Sequence, residues 1–278
     1  MKLALRSSFT ILLPAIAALS LAAPKLTLEI QAYASSSRQT TTDQQDDHHT
    51  YVGPAFLSAT ANAMATGGGT GIGHAIGNID FGAIHGLVSG TATYGSALPF
   101  IVNSAGGFGT FTGVYEDTIT IKSATLPLGT PVALKQTLHA HGFLDRSGSY
   151  SSLSYFARVG GLGGLGDMYV YQNLNQNDLT ASLVIQEDQV RTVMVKVGDV
   201  LPVFGQLELI AVSSADPTKP SSFAQIDAMN TMGEMFDVTT PGAYFTSASG
   251  AHYTAVPEPA SIAVLAIGAV SLLRRRKK

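Results

Sequence analysis

Two histidines separated by one residue are the sequence's best candidates for chemistry. His139 and His141 lie in a segment whose alternating residues predict a β-strand. Side chains two positions apart on a strand project from the same face, so both imidazoles could bind one metal ion. However, Asp145 is the only acid nearby in the sequence, and no second histidine motif follows. We therefore expect a solvated strand face that holds no metal.

The other polar clusters fit metal sites poorly. Residues 46–49 are two aspartates and two histidines in succession, which cannot converge on one ion without a partner segment and predict a loop tip. The amides that begin at Asn173 follow the spacing of a calcium loop. An EF-hand needs Gly at its sixth position and Glu at its twelfth, where this chain has Asp178 and Val184. We expect no cofactor beyond weak calcium binding by the acidic surface.

No group of residues in the sequence predicts a catalytic site. The sequence contains no G-x-S-x-G, no H-E-x-x-H and no cysteine. The adjacent acids Glu116 and Asp117 would point to opposite faces of a strand, whereas a glycosidase needs two carboxyl groups that face each other. The glycines that begin at Gly69 lack the surroundings of a phosphate-binding loop. We expect no enzyme activity, with an envelope hydrolase as the weakest alternative.

Two tyrosines favour a different kind of site. Tyr169 and Tyr171 would share one face of a strand, where exposed aromatic rings could act as platforms for sugars. Tyr150 and Tyr155 lie close together in sequence, but tryptophan is absent. Strand tyrosines more often pack half-buried. A glycan-binding module is nevertheless the leading alternative function, and it depends on these rings being exposed.

The elements that must position these residues are predicted to be β-strands. Apolar and polar residues alternate with a period of two through residues 26–34, 118–122 and 200–212. About ten such strands fit between residues 23 and 255. The fold class is therefore all-β, as an antiparallel β-sandwich for which a jelly roll is one arrangement. We find no linker that would divide this body.

Four segments have less regular patterns. Residues 183–197 predict a hairpin that turns at Glu187 and Asp188, and residues 132–143 predict a strand pair. Residues 35–50 contain no apolar residue and predict a solvated loop. Residues 67–90 are rich in glycine and predict an irregular region, in which small residues either let backbones approach closely or form flexible loops.

The composition excludes several classes of protein. The 278 residues are 45% hydrophobic and 13% charged, which excludes a disordered chain, and the lack of cysteine excludes a disulfide scaffold. The terminal segments contain seven of the 16 basic residues. Of the 19 acidic residues, only Glu258 lies in these segments. The body is left with 9 basic and 18 acidic residues, a net charge of −9. Such a surface would repel nucleic acid.

Residues 1–22 have the layout of a secretory signal peptide. Lys2 and Arg6 precede an apolar run at residues 9–21, and small residues follow. The run is too short to span a membrane comfortably. We expect signal peptidase to cut after Ala22, which leaves the body outside the cytoplasm.

Residues 256–278 form a second targeting signal, which has three parts. A rigid, extended proline element comes first, and an apolar stretch at residues 260–273 follows it and predicts a short transmembrane helix. As a helix this stretch rises about 21 Å, against a hydrocarbon core of about 30 Å. The third part is a cluster of cations, which is costly to translocate and should stay on the cytoplasmic side.

These three parts, in this order, resemble the PEP-CTERM sorting signal of Gram-negative bacteria. The resemblance implies recognition by an exosortase-type enzyme in bacteria that make exopolysaccharide. The implied sorting motif is Val256, Pro257, Glu258 and Pro259, and the implied stop-transfer cluster is Arg274, Arg275, Arg276, Lys277 and Lys278. Segments of the body, such as residues 111–128, are similar to the β-rich bodies of such proteins, which supplies no activity.

The sequence thus predicts an exported, non-enzymatic protein of the cell envelope or extracellular matrix. It would be tethered to the inner membrane by its tail and then sorted. A permanent tail anchor that no enzyme cuts remains the alternative for the C-terminal segment.

Overall fold

The computed structural model describes residues 23–38, 41–66, 69–95, 103–147, 151–162, 164, 166–175 and 182–253. The predicted signal peptide at residues 1–22 and the predicted C-terminal helix lie outside these ranges. Among the described residues there is no helix that could cross a membrane. The strands are β1 (Lys25–Arg38), β2 (Thr41–Gly53), β3 (Leu57–Thr66), β4 (Gly69–Asp80), β5 (Ala83–Tyr94), β6 (Asn103–Ser123), β7 (Pro131–Ser147), β8 (Ser151–Gly161), β9 (Met168–Leu174), β10 (Ser182–Lys196), β11 (Val200–Ala215), β12 (Ser221–Val238) and β13 (Ala243–Ser247).

The strands form two antiparallel sheets that pack face to face. The first sheet has the order β2-β1-β6-β11-β8-β9, and the short strand β13 pairs with β6 beyond the end of β1. The second sheet has the order β10-β7-β12-β5-β4-β3. The predicted all-β class and antiparallel sandwich are therefore confirmed, whereas the more specific jelly roll stays a prediction.

The alternating segments form strands because every second side chain is buried between the sheets. In β1 the inward residues begin with Leu26, Leu28 and Ile30, all fully buried, and in β6 they include Ile119 and Ile121. The strands predicted at residues 26–34, 118–122 and 200–212 are confirmed within β1, β6 and β11.

Two predicted strand pairs are wrong, because each segment forms one long strand. Residues 183–197 lie in β10 and in the turn that follows it, without a hairpin at Glu187 and Asp188. Polar residues are tolerated there because β10 is an edge strand. Residues 132–143 lie in β7. Phe143 is exposed on the outer face, and the buried side chains of the inner face continue from Ala140 to Leu144, so the strand runs on past Phe143.

The predicted loop at residues 35–50 is also wrong. Its first residues continue β1, and most of the remainder belongs to β2, which pairs with β1 in continuous register from Leu26 opposite Gly53 to Arg38 opposite Thr41. β2 lies at the edge of the first sheet, where backbone pairing supplies the hydrogen bonds and polar side chains can face solvent. Residues 46–49 are therefore part of a strand and not a loop tip.

The glycine-rich segment forms regular strands where an irregular region was predicted. Apart from residues 67 and 68, which lie outside the described residues, it forms β4, β5 and the turn between them. A Cβ on Gly71 would lie 2.1 Å from the carbonyl oxygen of Gly106, and a Cβ on Gly107 would lie 2.0 Å from that of Ile72. The close approach of backbones, one of the two roles considered for these residues, is therefore what the structure shows.

The interior consequently has two different halves. In the glycine half, β4 and β5 meet β1 and β6 through inward positions occupied by small residues, namely Gly71, Gly73, Gly90, Gly107 and Gly109 together with neighbouring alanines. In the aromatic half, at the other end of β6, large side chains fill the space between the sheets: Tyr115, Phe236, Phe245 and Tyr253.

Candidate functional site

Both predicted histidines lie beside an acid on the outer face of the second sheet. His139 and His141 project from β7, and Asp188 projects from the neighbouring strand β10. His139 Nδ1 lies 2.5 Å and His141 Nε2 lies 3.1 Å from the same oxygen, Asp188 Oδ1. One ligand atom from each residue lies within 4.8 Å of the other two. We call these three residues the His-His-Asp cluster.

The register of β7 and β10 brings the cluster together. The two strands pair without a break from Asp145 opposite Ser182 to Pro131 opposite Lys196, which places Asp188 directly across from His139. Cross-strand partners of this kind have Cβ atoms about 5 Å apart. On the other side of β7, the residue opposite His139 is Gly233, which has no side chain to crowd the imidazole.

The imidazoles also control the charge on the acid. Partial burial alone would raise the pKa of Asp188, but hydrogen bonds and charge from His139 and His141 outweigh this effect and hold the pKa below its ordinary value. The carboxylate side chain is 52% exposed, against 26% and 21% for the two imidazoles. The cluster is thus a set of two nitrogen donors and one ionised oxygen donor that opens to solvent.

The sequence located the two histidines but not their acid. Asp145 shares the outer face of β7 and pairs with Ser182. The true partner is Asp188, which had been assigned to a turn. The apolar alternation from Val193 to Val197 gives way to Arg191 and Gln189 at the preceding positions of the same face, so the sequence carried no apolar signal for a single long strand.

The tyrosines predicted to share a face do so. Tyr169 and Tyr171 of β9 are 60% and 52% exposed on the outer face of the first sheet. Their cross-strand partners are Arg158 and Phe156 of β8, and Phe156 in turn lies opposite Glu208 of β11. Burial raises the pKa of Glu208. Aromatic rings, a cation and an acid thus lie together on one sheet face.

The other tyrosines and acids are placed differently. Tyr155 is fully buried and offers no platform, and Tyr150 lies outside the described residues. Glu116 and Asp117 point to opposite faces of β6, as expected, with Asp117 buried. Asn173 belongs to β9, whereas Asp178 lies outside the described residues.

A buried polar network, which the sequence did not reveal, lies in the aromatic half. Tyr115 and Gln136 donate hydrogen bonds to Glu234, and Arg191 Nε donates to Gln136 Oε1 at 2.5 Å. Burial raises the pKa of Glu234 to about 8, although these two hydrogen bonds and the charge of Arg191 act in the opposite direction. Burial therefore favours the protonated form of this carboxyl group in the folded protein.

The last described residue fixes the end of the body to this interior. The Tyr253 hydroxyl donates a hydrogen bond to Asp117 Oδ2 at 2.9 Å, and its ring centroid lies 5.2 Å from that of Phe236. The backbone N–H of Phe236 donates to the carbonyl of Tyr253 at 3.1 Å. Tyr253 is 3% exposed and adopts a φ of 45°. The chain thus ends its described path inside the aromatic half.

Comparison with family models identifies the segment that follows. Residues 255–277 match the model of the PEP-CTERM protein-sorting motif. The match contains all of Val256, Pro257, Glu258 and Pro259, and it extends into the cationic cluster as far as Lys277. These residues lie outside those that the structure describes.

Comparison with curated proteins and with solved structures finds no match. The sorting motif implies exosortase-dependent export to the cell envelope. The chain therefore carries the PEP-CTERM protein-sorting motif, preceded by an all-β body.

Proposed function

We propose that this chain is an exported protein of a Gram-negative cell envelope or extracellular matrix, sorted through Pro257-Glu258-Pro259 by an exosortase-type enzyme. Its body has a structural or interaction role and no enzymatic one. The observation that carries the proposal is the match of residues 255–277 to the sorting motif.

The two terminal segments act at different steps of export. Signal peptidase removes residues 1–22 after translocation begins. The apolar stretch at residues 260–273 then holds the chain in the inner membrane, while the cations from Arg274 to Lys278 remain on the cytoplasmic side. A span of about 21 Å is short for a bilayer, which suits a segment that is released after sorting.

The burial of Tyr253, the last described residue of the body, supports this role. Tyr253 lies two residues before the matched segment and is buried between the sheets. Its hydrogen bond to Asp117 ties the start of the tail to β6, a central strand of the first sheet. A pull on the C-terminal segment therefore acts on the core of the sandwich through Tyr253.

The sorting step is tested by Glu258→Ala in the native host. We expect the wild-type protein to lose its tail and the variant to accumulate in the inner membrane with the tail intact, as measured by mass spectrometry of membrane and extracellular fractions. Glu116→Ala, which removes an exposed acid from β6, is the matched control and should behave like wild type. If the wild-type protein keeps its tail in the membrane, the segment is a permanent anchor and the sorting proposal fails.

A second candidate function is binding of the cell's exopolysaccharide. The specific support is the exposure of Tyr169 and Tyr171 on one sheet face, beside Phe156 and Arg158. Tyrosine rings offer sugars an apolar face, and the neighbouring polar groups can hydrogen-bond hydroxyls.

A double substitution tests this candidate. The native exopolysaccharide should retain the wild-type protein on an affinity matrix, and a Tyr169→Ala/Tyr171→Ala variant should lose that retention. The matched control is Tyr51→Ala, which removes an exposed tyrosine from β2 at the opposite edge of the same sheet. Equal retention of the double variant and wild type would refute binding through these rings.

A further inference from the structure

The His-His-Asp cluster contains the donor types that first-row transition metals prefer. Two imidazole nitrogens and one carboxylate oxygen face one another on the outer side of β7 and β10. Neutral imidazole is the commonest metal ligand in proteins, and an ionised carboxylate supplies the charge that favours a divalent cation. No feature of the sorting function uses these residues.

The distances in the cluster are close to those of a metal centre. In a tetrahedral zinc site with bonds of about 2.1 Å, neighbouring ligand atoms are separated by about 3.4 Å. Here Asp188 Oδ1 lies 2.5 Å from His139 Nδ1 and 3.1 Å from His141 Nε2. The two imidazole nitrogens lie within 4.8 Å of each other, and the carboxylate that must move outward to admit an ion is the most exposed of the three side chains.

The scaffold also preorganises the cluster. His139 and His141 follow the same strand face, and the unbroken pairing with β10 fixes Asp188 opposite them. Gly233, opposite His139 on the other side of β7, contributes no side chain there. Because the three donors come from two adjacent strands, the ordering cost of assembling them is met by the sheet itself.

We propose that His139, His141 and Asp188 bind one divalent first-row transition-metal ion per chain. The three protein ligands leave at least one coordination position for water. The bound ion also links β10, an edge strand, to β7, so it stabilises that edge of the second sheet.

The proposal is tested with Zn²⁺ as the probe, on the exported protein purified in detergent without a histidine tag and stripped with EDTA. Equilibrium dialysis with elemental analysis should give one Zn²⁺ per chain. Asp188→Asn, which keeps the side-chain size but removes the charge, should weaken binding at least about tenfold, and His139→Gln should do the same. Replacement by Co²⁺ should give a visible absorption band that is absent in His139→Gln.

Matched controls separate this site from adventitious binding. Asp145→Asn removes the other acid on the outer face of β7, and His74→Gln removes a histidine on β4 whose Nδ1 lies 2.7 Å from Asn62 Oδ1. Both should bind Zn²⁺ like wild type. Relative to its own melting temperature in EDTA, each of wild type, Asp145→Asn and His74→Gln should gain the same stability from a given Zn²⁺ concentration, and Asp188→Asn should gain less.

Two results would overturn the assignment. One is a wild-type protein that binds less than one Zn²⁺ per chain. The other is an Asp188→Asn variant that binds as tightly as wild type or loses no more affinity than Asp145→Asn.

Discussion

The two halves of the sandwich interior use opposite means to hold the same pair of sheets. In the glycine half the sheets meet through their backbones, and the positions that face inward have almost no side chain. In the aromatic half, rings such as Tyr115 and Tyr253 separate the sheets and enclose the carboxyl groups of Asp117 and Glu234. The glycine half is thus held by close backbone contact, and the aromatic half by large side chains and their polar partners.

This difference shows where the molecule can accommodate polar groups. In the glycine half, backbones in close contact leave no room for a buried carboxyl group. The aromatic half contains two buried carboxyl groups, and one of them, that of Asp117, accepts a hydrogen bond from Tyr253, the last described residue. The halves should therefore respond to different perturbations. An added methyl group should break the first half, and a change of pH or the loss of one hydroxyl should weaken the second.

Gly107→Ala should have the largest effect. The added Cβ would lie 2.0 Å from the carbonyl oxygen of Ile72, so the two sheets must separate to accept it. We expect a loss of at least about 4 kcal/mol in the free energy of unfolding, measured by urea denaturation.

The neighbouring glycine provides the control for that substitution. In Gly106→Ala the new Cβ would lie 3.1 Å from the Ser35 hydroxyl oxygen, the end of a side chain that can rotate away. We expect a change within about 1 kcal/mol. Similar losses for the two variants would show that the glycine half is not packed backbone against backbone.

The stability of the aromatic half should depend on pH through Glu234. Its pKa is raised to about 8 in the folded protein, so the folded state favours the protonated carboxyl group. That stabilisation is complete below the ordinary pKa near 4.5 and is lost as the pH rises through about 8. We expect the free energy of unfolding to fall by about 2–4 kcal/mol between pH 5 and pH 8 on account of this group.

The contribution of Glu234 is isolated by comparison with Glu234→Gln. Burial lowers the pKa of His85, which opposes the Glu234 trend at the acidic end of this range in both proteins. The difference between the two unfolding curves, measured in urea across the pH range, should therefore carry the Glu234 effect. Parallel pH profiles would contradict a protonated Glu234 in the folded protein.

Of the three perturbations, apart from their controls, Tyr253→Phe should have the smallest effect. It removes the hydrogen bond to Asp117 Oδ2, but Asp117 keeps the backbone N–H of Thr118 at 2.7 Å and the hydroxyl of Ser249 at 2.5 Å. We expect a loss of about 1–2 kcal/mol in urea denaturation.

A second tyrosine serves as the matched variant. The Tyr155 hydroxyl lies 3.4 Å from the carbonyl oxygen of His141, at the limit of a hydrogen bond. Tyr155→Phe should therefore cost less than Tyr253→Phe. The reverse order would mean that the Tyr253 hydroxyl does not secure the end of the body.

What the sequence predicted correctly was local. A period of two placed Ile119 and Ile121 in the core, and it placed His139 with His141 on one strand face. The sorting segment was also recognisable because its three parts are contiguous in the chain.

What the sequence missed depends on distant pairing. Asp188 is 47 residues from His141, and Tyr115 is 119 residues from Glu234, so only the strand order brings these groups together. The role of Gly71, in the glycine-rich segment at residues 67–90, was ambiguous for a similar reason. A glycine permits close approach or a flexible loop, and the strand packed against it decides which one occurs.

The central claim, export followed by sorting through the C-terminal motif, is tested most directly by the intact mass of the protein recovered from its native envelope. That mass reports both ends of the chain at once. The account predicts a species that begins at residue 23 and lacks the apolar stretch and the cations from Arg274 to Lys278. Recovery of the full 278-residue mass would contradict it.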